Sequence, residues 1–293
     1  MPDDAIPTFS IVVPTYNRPR ELRACLAALG RLNYPPDRFE VIVADDGSAQ
    51  PMEIAVGHVP GLRVRFVRQR NGGPAKARNS GAAVASGEFL AFTDDDCAPD
   101  PLWLRALAAR LTRRPDICVG GSTVNALRDN PYSTTSQVLV SYLYRYYNAA
   151  PDHSRFITTN NMAVRAGAFA EVGGFDTTYP HAAAEDREFC DRWIHLGRAL
   201  VYEPAALVWH SHDLTLWSFV RQHFHYGSGA RRFHQVRARR TSQPIAIEPM
   251  SFYTNLVGAA FVEETGWRAA RMAALLALTQ AIGAVGYFYQ RLG

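Results

Sequence analysis

The sequence predicts an α/β fold with a mostly parallel, Rossmann-like sheet that is covered by helices on both faces. Short apolar runs alternate with helix-like patterns through the first hundred residues, and polar clusters follow the apolar runs directly. An alternating order of strands and helices is typical of a parallel sheet that is buried on both faces. Since ligands bind beyond the carboxyl ends of such strands, we expect the functional site at that edge.

The predicted strands are short apolar or β-branched runs between turn residues. They are residues 9–13, 39–44, 64–67, 89–92 and 117–124. Apolar residues recur at helical spacing between Pro19 and Gly30, two residue types that suit the start and the end of a helix. Similar patterns predict helices at residues 75–85 and 101–113. The tyrosine-rich residues 125–153 leave two interpretations open, a helix packing aromatic rings on the core or a mobile loop lining a pocket.

Length and composition narrow the class of protein. With 293 residues, 47% of them hydrophobic and 20% charged, the chain can form one large α/β domain or two small ones. The net charge of +4 is modest, so we expect no nucleic acid partner. The four cysteines lack metal-binding spacing and are expected to be buried free thiols in a reducing compartment. The polar N-terminus does not resemble a signal peptide, which favours a cytoplasmic location.

The stretch from Glu88 to Asp100 carries the clearest chemical signal. Its apolar run ends in three consecutive carboxylates, Asp94, Asp95 and Asp96. On an extended chain, Asp94 and Asp96 would point the same way and Asp95 the opposite way. Two carboxylates at the end of a buried strand predict a hard-oxygen site for Mg²⁺ or Mn²⁺, with phosphate as co-ligand. On the triplet alone, a solvated acidic turn is an equally good interpretation.

An ordered series of motifs resembles glycosyltransferase family 2, whose members have the GT-A fold. The motifs are VVPTYNR at Val12–Arg18, VADDGS at Val43–Ser48, NGGPAKARNSG at Asn71–Gly81, TDDD at Thr93–Asp96, EVGGFD at Glu171–Asp176 and ED at Glu185–Asp186. Each motif is weak alone, but their order over residues 9–235 is specific. The resemblance implies inverting transfer from a nucleotide sugar, most often a UDP-sugar, with the help of a divalent metal.

The residues that follow the first strands suit a nucleotide. Tyr16 can stack on a base, and Asp45 or Asp46 can accept a hydrogen bond from a pyrimidine N–H. Lys76 and Arg78 lie on the first turns of a helix whose N-terminus attracts phosphate. An ordinary Asp-Gly turn and a solvated lysine are the alternatives. The whole predicted donor site comprises Pro14, Thr15, Tyr16, Asn17, Arg18, Asp45, Asp46, Lys76, Arg78, Asp94, Asp95, Asn160 and Asn161.

By the same resemblance, three side chains are metal ligands. Asp94 is expected to face the ribose and the metal, and Asp96 the metal. His210 resembles a further metal or diphosphate ligand and is preferred to His212. Asn160 is expected, with its neighbour, to hydrogen-bond sugar hydroxyls.

Inverting transfer also needs a base on the face opposite the leaving group. Asp186 matches the family's base, and Glu185 is expected to assist it or to contact the acceptor. The alternative for this pair is a set of acids that the helix dipole favours at a helix N-terminus. The paired glycines Gly173 and Gly174 resemble an acceptor-side loop.

Three other classes of protein fit this sequence less well. A sugar nucleotidyltransferase would have a glycine-rich loop after the first strand, where this chain has Pro14-Thr15-Tyr16-Asn17. A non-catalytic nucleotide- or carbohydrate-binding protein of the same fold has no need of Asp186. A NAD-dependent oxidoreductase would carry GxGxxG after the first strand, which is absent.

The C-terminal part reads differently from the rest. Residues 1–235 are predicted to form the GT-A domain, and residues 236–293 a basic linker with a C-terminal helical extension. Met272–Tyr289 is just long enough to span a bilayer and is flanked by Arg268, Arg271 and Arg291. The tail could therefore hold the enzyme at the cytoplasmic face of the inner membrane, near a lipid-linked acceptor. The alternative is a helix pair with residues 252–261 that closes the core or a dimer interface, and a glycan acceptor also stays open.

A basic run precedes this tail. It comprises Arg231, Arg232, Arg237, Arg239 and Arg240. Such a run favours anionic lipid or a phosphate-linked acceptor.

Overall fold

Eight strands form one sheet in the part of the chain that a computed structural model describes, residues 6–179, 183–241 and 248–289. They are β1 (Phe9–Thr15), β2 (Phe39–Asp45), β3 (Val64–Arg68), β4 (Phe89–Phe92), β5 (Cys97–Pro99), β6 (Cys118–Asn125), β7 (Met162–Arg165) and β8 (Leu200–His210). The helices in these ranges are α1 (Pro19–Leu29), α2 (Met52–Val56), α3 (Pro74–Ala82), α4 (Trp103–Leu111), α5 (Pro131–Tyr147), α6 (Ala166–Val172), α7 (Glu185–His195), α8 (Leu216–Thr241), α9 (Met250–Gly258), α10 (Ala260–Glu263) and α11 (Gly266–Tyr289).

The sheet is parallel in its first half and mixed in its second. Its order is β3-β2-β1-β4-β7-β6-β8-β5. Strands β3, β2, β1 and β4 are parallel, whereas β7 is antiparallel to both of its neighbours and β5 is antiparallel to β8. The chain enters β7 from a 3₁₀ turn, Thr159–Asn161, at the carboxyl edge, where Met162 pairs with Phe92. This reversed entry brings Asn160 to the same edge as the aspartates that follow β4.

Side chains on both faces of the sheet are buried, as the continuous apolar strands predict. Ile11 and Val13 of β1 pack in one cluster with Leu22 and Leu26 of α1. Val12 points to the other face, into a second cluster that includes residues of α6 and α7. The period-2 alternation of strand side chains thus divides one strand between two cores. The α/β fold class with helices on both faces is confirmed.

Residues 131–147 form helix α5, which settles the open choice for the tyrosine-rich segment. Asn130 caps the helix, since its side chain accepts hydrogen bonds from the backbone N–H groups of Tyr132 and Ser133. One side of α5 packs against α9 and α11 in a third cluster that includes Tyr142 and Phe252. The segment is therefore a helix with aromatic packing, although part of it also lines a cleft.

The C-terminal helices pack on the rest of the chain through close backbone contact. A Cβ at Gly227 of α8 would clash with the backbone oxygen of Gly283, and a Cβ at Gly286 would clash with that of Phe224. Glycine lets the two long helices approach at these points. The predicted boundary at residue 235 falls inside α8, which continues to Thr241.

The basic run lies on α8 and is largely engaged by neighbouring side chains. Arg240 contacts Glu188 and lies 2.9 Å from Asp191, and Arg237 lies 3.2 Å from Asp191. Arg232 lies over the Tyr179 ring. The contacts of Arg237 and Arg240 help to hold α8 against α7. The expectation that this run favours anionic lipid or a phosphate-linked acceptor stays a prediction.

Candidate active site

A cleft of about 1390 Å³ opens at the carboxyl edge of the parallel strands. Its walls come from the ends of β1 and β4, the start of α7, and helices α5, α8, α9 and α11. The residues predicted for the site that line it are Pro14, Thr15, Tyr16, Arg18, Asp46, Arg78, Asp94, Asp95, Asp96, Asn160, Glu185, Asp186 and His210. The fold therefore brings side chains from distant parts of the sequence into one site.

Four predicted donor-site residues do not line the cleft. Asp45 is buried and accepts hydrogen bonds from the backbone N–H groups of Ser48 and Met52, so it shapes the loop after β2. Asn17, with a φ of 56°, accepts a hydrogen bond from the Ala49 N–H. Each of these two side chains has a structural partner within the chain.

Lys76 and Asn161 also lie outside the cleft lining. Lys76 is exposed, and its side chain folds over Gly72. Asn161 is fully buried and accepts a 2.8 Å hydrogen bond from the Trp103 indole N–H. Its amide group also donates to the backbone oxygens of Ser122 and Ala206. The hydrogen bonds of the Asn161 side chain thus go to α4 and to the β6–β8 region, whereas its neighbour Asn160 faces the cleft.

The three aspartates adopt a different arrangement from the one expected on an extended chain. The chain turns at Asp95 and Asp96. Both carboxylates contact Arg18, at 2.9 and 3.0 Å, while Asp94 contacts Arg78 at 2.7 Å. Burial raises the pKa of Asp95 to about 7, Arg18 opposes that rise and Asp96 adds to it. The triplet is thus a compensated charge cluster and not a solvated turn.

Asp96 and His210 form the part of the site that suits a metal ion. Their side chains lie 3.2 Å apart, and Cys97 completes a group of three ligand-type atoms within 4.8 Å of one another. Burial raises the pKa of the Cys97 thiol far above its usual value, which leaves carboxylate and imidazole as the donors. That donor set fits Mn²⁺ or Mg²⁺. His212 also lines the cleft, but it is His210 that contacts Asp96.

Burial and neighbouring charges shift the pKa values of His210 and His212 in opposite directions. Burial alone would lower the pKa of His210, but the charge of Asp96 and the hydrogen bond to it outweigh burial and raise that pKa. Burial and the neighbouring His210 lower the pKa of His212 to about 4. His212 is therefore neutral at physiological pH.

Asp46 organises the cleft wall at the start of α3. Its carboxylate accepts hydrogen bonds from the backbone N–H groups of Gly72 and Gly73, at 2.9 and 2.8 Å. It also accepts one from the Gln69 side chain. Asp46 thus fixes the turn that leads into α3, whose N-terminus faces the cleft through Gly73 and Pro74.

Arg78 bridges two carboxylates that line the cleft. This arginine is 2% exposed, and it donates to Asp94 at 2.7 Å and to Glu185 at 3.0 Å. Sequence reasoning placed Arg78 on phosphate at the helix N-terminus and did not find this bridge, because its two partners lie 16 and 107 residues away.

Asp186 lies at the start of α7, beside Glu185, and lines the cleft. Burial and the negative charge of Glu185 raise the pKa of Asp186 to about 7. A carboxyl with a pKa near neutrality is well suited to accept a proton. The Gly173-Gly174 turn, in contrast, is outside the cleft lining and is held by Asn79, which bonds both backbone groups of Phe175.

The helical wall of the cleft was missed by sequence reasoning. Gln222, Tyr226, Ala230 and His234 line the cleft from α8. They recur every four residues, so helical periodicity could have placed them on one face. The pattern does not say what that face contacts, because neighbouring helices decide it.

Comparison with known proteins gives a consistent family match. Residues 10–173 match the model of glycosyl transferase family 2. The chain is 32% identical over 227 residues to the pre-mycofactocin glycosyltransferase of Mycobacterium tuberculosis, covering 75% of this chain and 46% of that protein. It is 31% identical over 212 residues to the validoxylamine A glucosyltransferase of Streptomyces hygroscopicus subsp. limoneus, covering 62% and 47%. The chain spans about half the length of these relatives.

Solved structures show the same fold at low sequence identity. The mannosyltransferase PcManGT of Pyrobaculum calidifontis, solved with GDP-Man and Mn²⁺, has a TM-score of 0.67 at 17% identity, covering 97% of this chain and 88% of that one. S. aureus TarS 1-349, solved with UDP-GlcNAc, has a TM-score of 0.54 at 16% identity, covering 97% and 92%. At these identities the likeness shows the shared GT-A fold.

We predict that Arg78→Met lowers the free energy of unfolding by about 3–5 kcal/mol, because it leaves Glu185 buried without its cation. Adding Glu185→Gln should recover part of that loss, since the buried charge is then gone. Urea denaturation of the two variants measures both effects. The exposed Arg20→Met is the control and should change stability by less than about 0.5 kcal/mol. Equal stability of Arg78→Met and wild type would contradict the bridge.

Proposed function

This chain belongs to glycosyl transferase family 2, and we propose that it transfers a sugar from a nucleotide sugar to an acceptor hydroxyl with inversion at the anomeric carbon. The observation that carries the proposal is the Arg78 bridge. Arg78 donates hydrogen bonds both to Asp94, one of the aspartates that suit a metal and a nucleotide, and to Glu185, the neighbour of Asp186. A donor-side site and a base with a pKa near neutrality thus share one cleft.

The donor half would hold the nucleotide diphosphate. Tyr16 is 48% exposed at the cleft edge and offers its ring to a base. Asp94, Asp96 and His210 would hold Mn²⁺ or Mg²⁺. The bound ion supplies Lewis-acid stabilisation of the leaving diphosphate. Arg18 and the α3 N-terminus add positive potential on the same side.

A UDP-sugar is the donor we propose. Two structural neighbours support this choice, since TarS was solved with UDP-GlcNAc and GalNAc-T7 with UDP, GalNAc and Mn²⁺. PcManGT was solved with GDP-Man, so a GDP-sugar is the alternative outcome of a binding test.

The acceptor half would use Asp186 as the base. Its carboxylate takes the proton of the acceptor hydroxyl while that oxygen forms a bond to the anomeric carbon. The bond from the anomeric carbon to the diphosphate oxygen breaks, and the diphosphate leaves with the electron pair. Attack opposite the leaving group inverts the anomeric centre.

We predict that Asp96→Ala weakens Mn²⁺-dependent binding of UDP by at least about 10–100-fold. Loss of a residue that only hydrogen-bonds to a metal ligand already costs about this much metal affinity, and Asp96 is proposed to be a ligand itself. Isothermal titration calorimetry with UDP and GDP, with and without Mn²⁺, measures it. Asp37→Ala removes an exposed carboxylate far from the cleft lining and should bind as wild type. Undiminished Mn²⁺-dependent binding to Asp96→Ala would refute the metal assignment.

We predict that Asp186→Asn lowers the transfer rate by about 10²–10⁴-fold with little change in donor affinity. In the wild type, the rate should fall as pH drops below about 7, because the raised pKa of Asp186 keeps the carboxyl protonated there. Glu185→Gln removes the adjacent negative charge and should move this acid limb to lower pH. A pH–rate profile of kcat tests both points, and an unmoved limb in Glu185→Gln would show that another group titrates.

We also propose that the C-terminal helix contacts a membrane surface. In the described chain, α11 is the one helix long and apolar enough to cross a bilayer. Trp267, Val285 and Phe288 are exposed on it, and α11 has two arginines and no acidic residue. This composition favours an anionic lipid surface over an acidic-rimmed protein partner. The flanking Arg291 lies outside the described residues.

Val285→Glu should reduce co-sedimentation with vesicles that contain phosphatidylglycerol. The reason is that it puts a charge on the apolar face of α11. Val285 is 61% exposed, and the control Ile54→Glu changes a side chain that is 69% exposed on α2. If wild type ignores such vesicles, α11 acts only as a packing helix.

A further inference from the structure

The cleft is larger than one ligand needs. Sites for a single small molecule usually measure about 300–1,000 Å³. This cleft measures about 1390 Å³, and much of its wall belongs to helices that lie away from the aspartates. We call the part lined by α5, α8, α9 and α11 the helical chamber. The whole cleft is therefore large enough for a second molecule beside a nucleotide sugar.

Polar side chains such as Gln222 and His234 of α8 line part of the helical chamber. A large part of its wall is apolar, with Leu139, Val140 and Leu143 from α5, Phe252 from α9, and Ala284 and Phe288 from α11. Apolar wall of this kind gains free energy when it covers an apolar ligand.

Several polar side chains in and next to the helical chamber already have partners within the chain. Gln137 donates to the Thr123 backbone oxygen at 2.8 Å, and Thr279 donates to that of Leu276 at 2.7 Å. Glu248 accepts hydrogen bonds from the hydroxyls of Tyr146 and Tyr147. The many hydroxyls of a glycan would lose their water here and find these groups engaged, which costs free energy.

The helical chamber begins beside the proposed base. Arg187 follows Asp186, and its guanidinium lies 5.8 Å from the centre of the Tyr147 ring, which lines the chamber. Because Tyr147 and Asp186 line the same cleft, a molecule in the chamber can extend towards Asp186. Its hydroxyl can reach the base while its body stays among the helices.

We infer that the acceptor carries its reacting hydroxyl on an apolar body, aryl or alkyl, that occupies the helical chamber. The inference rests on the proposed function and specifies its acceptor class. The nucleotide sugar is the co-substrate. Its anomeric carbon forms the new bond to the acceptor oxygen, the proton passes to Asp186, and the nucleoside diphosphate leaves.

Binding to the full chain with UDP and Mn²⁺ present tests the inference. The probes are 4-nitrophenyl, octyl and methyl β-glucoside, together with maltotetraose as a glycan. The aryl or the octyl glucoside should bind at least about tenfold more tightly than the methyl glucoside and the glycan. Tighter binding of the aryl probe indicates a small aromatic acceptor, and tighter binding of the octyl probe a lipid. Equal binding of all four probes would overturn the inference.

Filling the helical chamber provides the matched test. A Cβ at Gly283 meets only the His223 backbone oxygen, at 3.9 Å, so the Cβ of Gly283→Leu is clear of the backbone and the larger side chain narrows the chamber that Gly283 lines. It should abolish the advantage of the apolar glucosides, as should Ala284→Phe. The control Gly258→Leu adds the same side chain where nothing lies within 4 Å of a Cβ and outside the cleft lining. It should keep the full advantage.

Two readouts keep this inference separate from the proposed function. Thermal melting followed by circular dichroism shows whether each variant is folded. If the wild type shows no Mn²⁺-dependent binding of UDP, the donor site and the proposed function are refuted. Intact UDP binding with no preference for an apolar aglycone, or a preference that survives both filling variants, would refute the acceptor class alone.

Discussion

The ion bridge through Arg78 is the interaction on which the site depends. The buried guanidinium of Arg78 pairs with the buried carboxylate of Glu185 and with the partly exposed carboxylate of Asp94. Glu185 without this cation would be costly, because burial penalises an unpaired charge. The bridge therefore ties the end of β4 to the start of α7, and with it the metal-type residues to Asp186. Arg78, Asp94 and Glu185 therefore contribute both to stability and to the arrangement of the candidate active site.

Compensation of negative charge extends along the whole carboxyl edge. Arg18 neutralises Asp95 and Asp96, and His210 lies against Asp96 on its other side. A parallel sheet converges its strand ends at this edge, so the acids that bind cations are necessarily crowded. The cations supplied by the chain hold the edge together, and a bound metal would add to them. The helical side of the cleft has a larger apolar area, although Arg221 and Glu248 also line the cleft, so the cleft has a charge-rich part and a more apolar part.

The C-terminal helices give this architecture its second wall. Helix α11 approaches α8 through glycines, and arginines of α8 are held by acids of α7, the helix that carries Asp186. The helical extension is thus coupled to the helix that carries Asp186 through packing and ion pairs. A segment that reads as a tail or an anchor in sequence also forms part of the cleft, which connects a surface-facing helix with the place where an acceptor would lie.

By itself, the sequence determined β1–β4 and β6, several helices and many of the side chains at the carboxyl edge, because periodicity and turn residues are local properties. It also identified Asp186 and His210 as candidates through ordered motifs. Only the tertiary structure decided which neighbours share a site: Asn160 faces the cleft and Asn161 the core, although both have the same chemistry. The Arg78 bridge and the helical chamber likewise depend on contacts between residues far apart in the chain, and no local pattern encodes such contacts.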